Sequence, residues 1–250
     1  MNPSFKERLK RGDVLIGTIL SIPSPEVAEV LALAGFDWLF IDAEHGTIDF
    51  TDVQRILQIA DDKCPCIVRT PSDDKIWIKK LLDAGSRGII FPLVNSRKEA
   101  QRIVNLCKYP PEGTRSIGIG RAHEYGFKFM EYVSTANQNI AIILQIEHTQ
   151  AVRNIKSIVT VQGIDAIFIG PYDLSGSLGK IGQVNDPEVK KEINIVKKAC
   201  KEAGLPIGIF GVDAEAVKPF ISQGYSLITV GMDTLFLGKS VRETLGLLKT

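Results

Sequence analysis

The sequence lacks the features that mark several large protein classes. It has 4 cysteines in 250 residues, too few for a disulfide-stapled scaffold. No run approaches the ~20 apolar residues of a membrane span, and the opening MNPSFKERLKRG lacks the apolar core of a signal peptide. Thirty Lys and Arg against 29 Asp and Glu give a formal net charge of +1, which provides no field to attract nucleic acid. We therefore expect a cytoplasmic protein that binds neither nucleic acid nor membranes.

The cysteines also lack the spacing of a metal or redox motif. Cys64 and Cys66 are separated by a single proline, which matches neither a CxxC motif nor half of a zinc site. We expect all four, including Cys107 and Cys200, to be small apolar residues beside or inside strands.

What the sequence does contain is a regular alternation of short, β-branched apolar runs with amphipathic segments. Eight runs predict strands, beginning at Val14, Phe36, Cys66, Gly88, Ile140, Ile164, Pro206 and Ser226. Nearly continuous apolar strands are typical of parallel sheets that are buried on both faces. Eight strand–helix units in one chain predict an α/β protein with a (β/α)8 TIM barrel as a single domain over residues 1–250; a doubly wound open sheet is the alternative.

One connection is unusually long. Residues 109–139 separate the fourth strand unit from the fifth, whereas such connections usually have about 2–6 residues. We expect this segment to carry function or to contact another subunit, with a disordered excursion as the alternative.

Polar residues are concentrated where the predicted strands end, which is where βα barrels carry their chemistry. These strand-end residues are Asp42, Glu44 and His45, then Arg69, then Gln145, Glu147 and His148, and finally Tyr172 and Asp173. Lysine is absent from the set, which disfavours Schiff-base aldolase chemistry. No complete glycine motif for phosphate or dinucleotide is present, so dinucleotide binding has no support.

Glu147 and Asp173 follow neighbouring strands and would form a site of hard oxygen donors. Such a site suits Mg²⁺ or Mn²⁺ better than structural zinc. Gln145 should point to the same side as Glu147, because side chains alternate along a strand. The alternative is that both carboxylates only cap the helices that follow.

His45 and Arg69 are the other candidates for chemistry. A histidine at a barrel strand end beside carboxylates is a candidate general base. Arg69 ends an apolar strand, where an unpaired charge is costly, so it should face a carboxylate or an anionic ligand. For His123 and His148 we expect surface or loop roles.

Several longer strings resemble one known family. They are SIPSPEVAEVLALAGFDWLFIDAEHG, VRTPSD, PLVNS, PPEGTRSIGIGRAHEYG, LQIEH, GIDAIFIGPYDLSGSLG and VGMD. Together, from about Val14 to Asp233, they resemble the pyruvate-dependent class II aldolases of the HpcH/HpaI family. Its members include 4-hydroxy-2-oxoheptanedioate, 2-dehydro-3-deoxyglucarate and 2-keto-3-deoxyrhamnonate aldolases.

The resemblance implies a barrel whose eighth helix swaps onto a neighbouring subunit, in a homohexamer. It implies that Glu147 and Asp173 are the metal ligands and that His45 is the catalytic base. It also implies that Arg69 binds pyruvate and stabilises its enolate.

Further roles follow from the same resemblance. Gln145 and the Tyr172–Asp173 backbone are similar to substrate contacts. Asp83 resembles a carboxylate that raises the basicity of the histidine, and Asp42 is a second possible orienting group. The loop RSIGIGRAHEYG is expected on the substrate side, and Tyr172 stands where some members carry a small residue, which leaves the aldehyde open.

The implied reaction is the reversible cleavage of a 4-hydroxy-2-oxo acid into pyruvate and an aldehyde, with Mg²⁺, Mn²⁺ or Co²⁺. The small-molecule partners are thus a 2-oxo acid and an aldehyde. Three alternatives stay open: a citryl- or malyl-CoA type lyase, a phosphoenolpyruvate enzyme on the same barrel, and a metabolite-binding barrel without catalysis.

Overall fold

A computed structural model, which describes residues 3–249, closes the eight strands into one parallel barrel. The strands are β1 (Leu15–Leu20), β2 (Trp38–Asp42), β3 (Cys66–Arg69), β4 (Gly88–Phe91), β5 (Ala141–Ile146), β6 (Ala166–Ile169), β7 (Ile207–Gly211) and β8 (Leu227–Met232). Each pairs with its neighbours in the chain, and β8 pairs with β1. The TIM barrel is therefore confirmed, and each strand begins within two residues of its predicted start.

Helices surround this barrel. They are α1 (Phe5–Arg11), α2 (Pro25–Leu33), α3 (Phe50–Ala60), α4 (Lys75–Asp83), α5 (Arg97–Cys107), α6 (Phe129–Asn139), α7 (Thr149–Ile158), α8 (Pro171–Ser177), α9 (Pro187–Ala203), α10 (Ala214–Ser222) and α11 (Asp233–Leu248), with a 3-10 segment at Arg121–Gly126. Among these helices, none is long and apolar enough to cross a membrane.

The core has two layers, set by the alternation of side chains along each strand. In β2, Trp38 and Phe40 fill the barrel interior, whereas Leu39 and Ile41 pack outward against the helices. All four cysteines are buried and unpaired, and burial raises the pKa of the Cys64 thiol to about 12. The cysteines are thus apolar packing residues, as predicted. The predicted placement beside or inside strands is correct for Cys64 and Cys66 but wrong for Cys107 and Cys200, which lie in α5 and α9.

The amino-end face of the barrel, where the strands begin, is closed by α1. A capping box starts this helix: the Ser4 hydroxyl accepts from the Glu7 N–H, and the Ser4 N–H donates to the Glu7 carboxylate. Phe5 and Leu9 are buried beneath the strands, and the Phe5 ring centroid lies 5.9 Å from that of Trp38. Solvent therefore does not enter the barrel from this end.

Charged groups on the same face are joined in pairs. Four ion pairs lie here. Lys6–Asp165 at 2.9 Å, with Arg8–Asp37 and Arg87–Asp61 at 2.8 Å each, link the starts of strands to helices, and Arg115–Asp83 at 2.8 Å links the long connection to the end of α4. Three of these carboxylates also accept a backbone N–H, as Asp165 does from Ile142. The charged residues on this face therefore stabilise the fold.

The long connection at residues 109–139 lies on this amino-end face as well. It contains the 3-10 segment and α6, and Arg121 donates to the carbonyls of Leu57 and Ala84, where α3 and α4 end. Within this chain the expectation of a substrate-side position is therefore wrong. The reason is topological, because a segment that leads into β5 must reach the end of the barrel where β5 begins.

The last helix, α11, does not lie along the barrel wall. It contacts the barrel near its start, where the Phe236 ring centroid lies 6.4 Å from that of Phe36. Of the helix residues described, only Asp233 is buried, and Leu237, Val241 and Leu245 are exposed. The apolar side chains of α11, the helix that follows β8, are therefore not covered by the rest of the described chain.

Candidate active site at the carboxyl ends of the strands

A cavity of about 220 Å³ opens at the carboxyl-end face of the barrel, where the strands end. Its lining includes Asp42, His45, Arg69, Gln145, Tyr172 and Asp173, which are six of the residues selected from the sequence. They follow four different strands and meet because all parallel strands of a barrel end on one face. Among the described lining residues there is no lysine.

Arg69 and Asp42 form the centre of the polar lining. They are paired in register at the last positions of β3 and β2, so their side chains leave the sheet side by side. Arg69 Nε and Nη2 donate to the two Asp42 carboxylate oxygens at 3.0 and 2.7 Å. The guanidinium also lies 5.2 Å from the Phe40 ring centroid. Two bonds and a ring hold its plane in one orientation.

Asp42 also fixes the turn that carries His45. One of its oxygens accepts from the N–H groups of Glu44 and His45, at 3.1 and 3.2 Å. The His45 side chain itself is 69% exposed, and its Nε2 lies 3.8 Å from Glu44 Oε2. Asp42 therefore positions the backbone of His45 and makes no bond to its imidazole.

Glu44 belongs to this group although it was not selected as a site residue. Its Oε2 lies 3.1 Å from Arg69 Nε but forms no hydrogen bond. Burial raises the pKa of the Glu44 carboxyl, and the positive charge of Arg69 opposes that rise. The sequence did place it among the polar strand-end residues, but position alone did not reveal its contact with Arg69.

Glu147 is a buried carboxylate held by two donors. It accepts from the Leu93 N–H at 2.7 Å and from the side-chain amide of Gln145. Within the described chain no Lys, Arg or His nitrogen forms an ion pair with it. Burial raises the pKa of the Glu147 carboxyl, and the two hydrogen bonds offset that rise only in part. A cation placed here would compensate its charge.

Two backbone features are shaped around Glu147. Leu93 has φ of 55°, a left-handed conformation that leucine seldom adopts, and its N–H is the one that reaches the carboxylate. At Gly170 an added Cβ would lie 2.8 Å from Glu147 Oε2 and 3.0 Å from its Cβ, so a larger residue there would displace the Glu147 side chain. Neither feature is visible as a motif in the sequence.

Asp173 lies in the first turn of α8, after Gly170 and Pro171, and its side chain is exposed. It makes no hydrogen bond or ion pair within residues 3–249, and its charge contributes to the raised pKa of Glu147. The capping alternative does not hold for either carboxylate, because α7 is capped by His148 and α8 begins at Gly170 without a side-chain cap.

These donors fit a hard divalent cation. Glu147 and Asp173 supply carboxylate oxygens, and the Gln145 Oε1 beside them is buried without a hydrogen-bond partner. No cluster of three or more His, Cys, Asp or Glu suited to a metal occurs in residues 3–249. Two carboxylates leave the other positions to water or substrate oxygens, an arrangement that suits Mg²⁺ or Mn²⁺.

Asp83 is not brought to the site. It is the last residue of α4, which runs antiparallel to the strands and so ends on the amino-end face. There its carboxylate pairs with Arg115. Within this chain Asp83 therefore lies at the opposite end of the barrel from His45.

The remaining histidines have structural positions. His148 accepts the Gln150 N–H at 3.1 Å as the N-cap of α7, in line with its predicted loop role. His123 lies in the long connection, as expected, but is buried among the rings of Tyr132 and Phe129, with its Nε2 3.3 Å from the Tyr109 hydroxyl.

The chain is similar in sequence and in fold to known proteins. The sequence profile described as HpcH/HpaI aldolase/citrate lyase matches residues 16–239. A 2-dehydro-3,6-dideoxy-6-sulfogluconate aldolase of Pseudomonas putida is 39% identical over 96% of this chain and 95% of its own. A hydroxypyruvate/pyruvate aldolase of Paraburkholderia phytofirmans is 38% identical over 98% and 96%. The crystal structure of an HpcH/HpaI aldolase/citrate lyase family protein from Burkholderia cenocepacia superimposes with a TM-score of 0.95 at 35% identity, covering 98% of each chain.

Proposed function

The chain belongs to the HpcH/HpaI aldolase/citrate lyase family, and from that premise we propose that it reversibly cleaves a 4-hydroxy-2-oxo acid into pyruvate and an aldehyde. One observation carries the proposal. The fixed guanidinium of Arg69 and the exposed imidazole of His45 line one cavity with Gln145 and Asp173, and Gln145 is bonded to Glu147. That combination supplies an anion-binding group, a base and hard oxygen donors.

Glu147 and Asp173 are the proposed ligands of a divalent metal, with Mg²⁺, Mn²⁺ and Co²⁺ as candidates. A bound metal would act as a Lewis acid toward the 2-oxo group. Leu93 and Gln145 keep the Glu147 carboxylate in place through their hydrogen bonds. No organic cofactor is needed for this chemistry.

Arg69 is the proposed partner of the pyruvate half. Its Nε and Nη2 are used by Asp42, and its Nη1 has no partner within residues 3–249. That nitrogen can bind the substrate while the fixed positive charge stabilises the enolate oxygen that develops as the C3–C4 bond breaks. Gln145 and the backbone of Tyr172 and Asp173 border the same space.

His45 is the proposed base. It takes the proton from the C4 hydroxyl during cleavage and returns it in the addition direction. Asp42 holds the turn that carries it, and Glu44 Oε2 is the acidic group nearest to its Nε2 in this chain. Asp42 and Glu44 are therefore positioning residues.

We also propose that residues 1–250 form one domain in a homo-oligomer, with a hexamer as the expected form. The uncovered apolar residues of α11 support this, because a helix that leaves its own barrel can bury them only against another chain. A swap of α11 between subunits would provide that burial.

The test is pyruvate release from a panel of 4-hydroxy-2-oxo acids, coupled to lactate dehydrogenase. We expect turnover with added Mg²⁺, Mn²⁺ or Co²⁺, none after chelation by EDTA, and recovery on adding metal back. Borohydride with pyruvate should trap no adduct on the protein, as seen by mass spectrometry. Cleavage of a malyl- or citryl-CoA ester alone, or no turnover with any substrate, would contradict the proposal.

A further inference from the structure

A second and larger cavity lies directly behind one wall of the candidate site. Its volume is about 420 Å³, against about 220 Å³ for the site cavity. It opens between α9 and α10, outside the barrel, with Ile193 and Phe220 among its lining residues. Ligand pockets usually measure about 300–1,000 Å³. The site cavity is therefore small by itself, and the second cavity is large enough to hold part of a ligand.

The two cavities share the residues that separate them. Pro171, Tyr172 and Phe210 line both. In β7 the side chain of Ile209 faces the outer layer, and that of Phe210 packs against the barrel interior. The Tyr172 and Phe210 ring centroids are 6.1 Å apart, with the planes at 54°. Two aromatic rings thus stand between the polar site and the apolar cavity.

The Tyr172 ring is weakly attached to the rest of the fold. Its residue is 37% exposed. Within residues 3–249 its hydroxyl forms no hydrogen bond, and Phe210 is its one ring contact. Its backbone carbonyl, in contrast, accepts the Ser175 hydroxyl at 2.6 Å. The ring therefore forms a wall, and its removal should leave the backbone of α8 in place.

The lining of the second cavity indicates which part of a ligand would fit. Ile193, Ile209, Ala216 and Phe220 supply apolar surface, and polar side chains such as Asn194 lie at its exposed edge. An alkyl chain would be buried here, whereas a hydroxylated chain would lose hydrogen bonds to water.

We propose that Tyr172 determines the length of the aldehyde that the site accepts. Its ring excludes the aldehyde from the apolar cavity, so the protein selects short aldehydes, and removal of the ring joins the two cavities into a site for alkyl aldehydes. This proposal depends on the proposed aldolase function, since it concerns the aldehyde half of that reaction.

The test compares acetaldehyde with hexanal as acceptors for pyruvate, with product formation followed by mass spectrometry. For Tyr172→Ala we expect the hexanal-to-acetaldehyde ratio of kcat/KM to rise at least about tenfold, the usual scale for a methylene gained or lost in an apolar pocket. Tyr172→Phe keeps the ring and should keep the wild-type ratio. Circular dichroism and melting temperature check the fold, and Tyr172→Val replaces the alanine variant if that one fails to fold.

A second substitution closes the apolar cavity from its far side. Ala216 lines that cavity and not the site, so Ala216→Phe alone should leave acetaldehyde kinetics unchanged. Combined with Tyr172→Ala, it should return the ratio toward the wild-type value. A gain for hexanal that survives Ala216→Phe would place the alkyl chain elsewhere and overturn the proposal.

The remaining outcomes separate the two proposals. A wild-type protein that adds pyruvate to neither aldehyde, nor to any other acceptor, contradicts the aldolase function. A wild-type protein that uses hexanal as well as acetaldehyde overturns the role of Tyr172 while leaving the function intact. The same holds if Tyr172→Ala stays active on acetaldehyde without gaining on hexanal.

Discussion

Apart from the cluster of Arg69 with Asp42 and Glu44, the two ends of the barrel use their charged residues in opposite ways. On the amino-end face, Lys6 and Asp165 are both 4% exposed and form an ion pair at 2.9 Å, and three further pairs lie around it. On the carboxyl-end face, Glu147 is buried without an ion-pair partner and Asp173 is exposed without one, both within the described chain. Oxygens of Glu44 and Gln145 there lack hydrogen bonds.

This difference separates residues that maintain the fold from residues that remain available to a ligand. Buried polar groups without partners cost free energy, so they persist where a ligand completes them. Substitutions on the carboxyl-end face should therefore change activity more than stability, and substitutions on the amino-end face should do the reverse.

The largest effect is expected for Asp173→Ala. Loss of this proposed metal ligand would remove Lewis-acid assistance that is worth several kcal/mol, so pyruvate release should fall on the order of 10³-fold at saturating Mg²⁺. The melting temperature should not change, because Asp173 bonds to nothing in the described chain. Asp62→Ala, on the amino-end face, is the matched control and should keep full activity. Unchanged turnover in the Asp173 variant would remove it from the proposed ligands.

Lys6→Met, on the amino-end face, is expected to lower stability and to leave activity unchanged. The substitution leaves the buried Asp165 without its main counter-charge, and breaking such a pair costs about 3–5 kcal/mol. We expect about 3 kcal/mol, the lower end of that range, because Asp165 still accepts from the Ile142 N–H. Urea unfolding measures this loss, and kcat per folded molecule should be unchanged.

Lys10→Met is the control for that variant. Lys10 lies 3.9 Å from the same Asp165 carboxylate but is 61% exposed, so its removal should cost less than about 1 kcal/mol. Equal losses for the two lysines would show that burial does not set the strength of the pair.

Arg69→Lys should come next. Lysine keeps the charge but loses the planar fork that Asp42 holds, so turnover should fall about 10²-fold, as when an oriented donor to a developing oxyanion is lost. Arg87→Lys makes the same replacement on the amino-end face and should leave kcat unaffected. Wild-type kinetics in Arg69→Lys would argue against an oriented guanidinium in the reaction.

The smallest expected effect is the contribution of His123, on the amino-end face, to the pH dependence of stability. Burial lowers the pKa of its imidazole below 6.5, and its Nδ1 accepts the Gly120 N–H, a bond that protonation removes. As the pH falls toward and below 6.5, the unfolded chain binds the proton more readily, so the free energy of unfolding decreases. One such proton contributes at most about 1.4 kcal/mol per pH unit.

Urea titrations between about pH 5.5 and 7.5, the range around the unperturbed histidine pKa, measure that slope. In His123→Phe the slope should be smaller, whatever the stability at pH 7.5. An identical slope in both proteins would assign the pH dependence to other groups.

The barrel and the polar lining of its site could be predicted because they depend on local patterns. Apolar runs such as Gly88–Phe91 identify strands, and parallel strands bring their last residues together. Asp42, Arg69 and Gln145 met for that reason. Leu93 and Gly170 could not be found, because a backbone N–H and an absent Cβ carry no chemical signature in a sequence.

Asp83 and α1 show a second limit. The local sequence around Asp83 resembles that of a site residue in the family, but the direction of α4 decides which face of the barrel Asp83 reaches. α1 carries its own start signal in Ser4 and Glu7, yet that capping box gives no indication that Phe5 and Leu9 close the barrel. In both cases the sequence shows the chemistry of the residues but not their position in three dimensions.

The closure of the amino end by α1 has a kinetic consequence. With Phe5 and Leu9 filling that end, both products of the proposed cleavage leave through one opening. In the proposed function, pyruvate binds at the buried Arg69 and Gln145, and the aldehyde borders the more exposed Tyr172. The aldehyde therefore departs first, and only pyruvate meets the same free enzyme as the 2-oxo acid. Added pyruvate should then inhibit cleavage competitively with that substrate, and added aldehyde should inhibit it non-competitively.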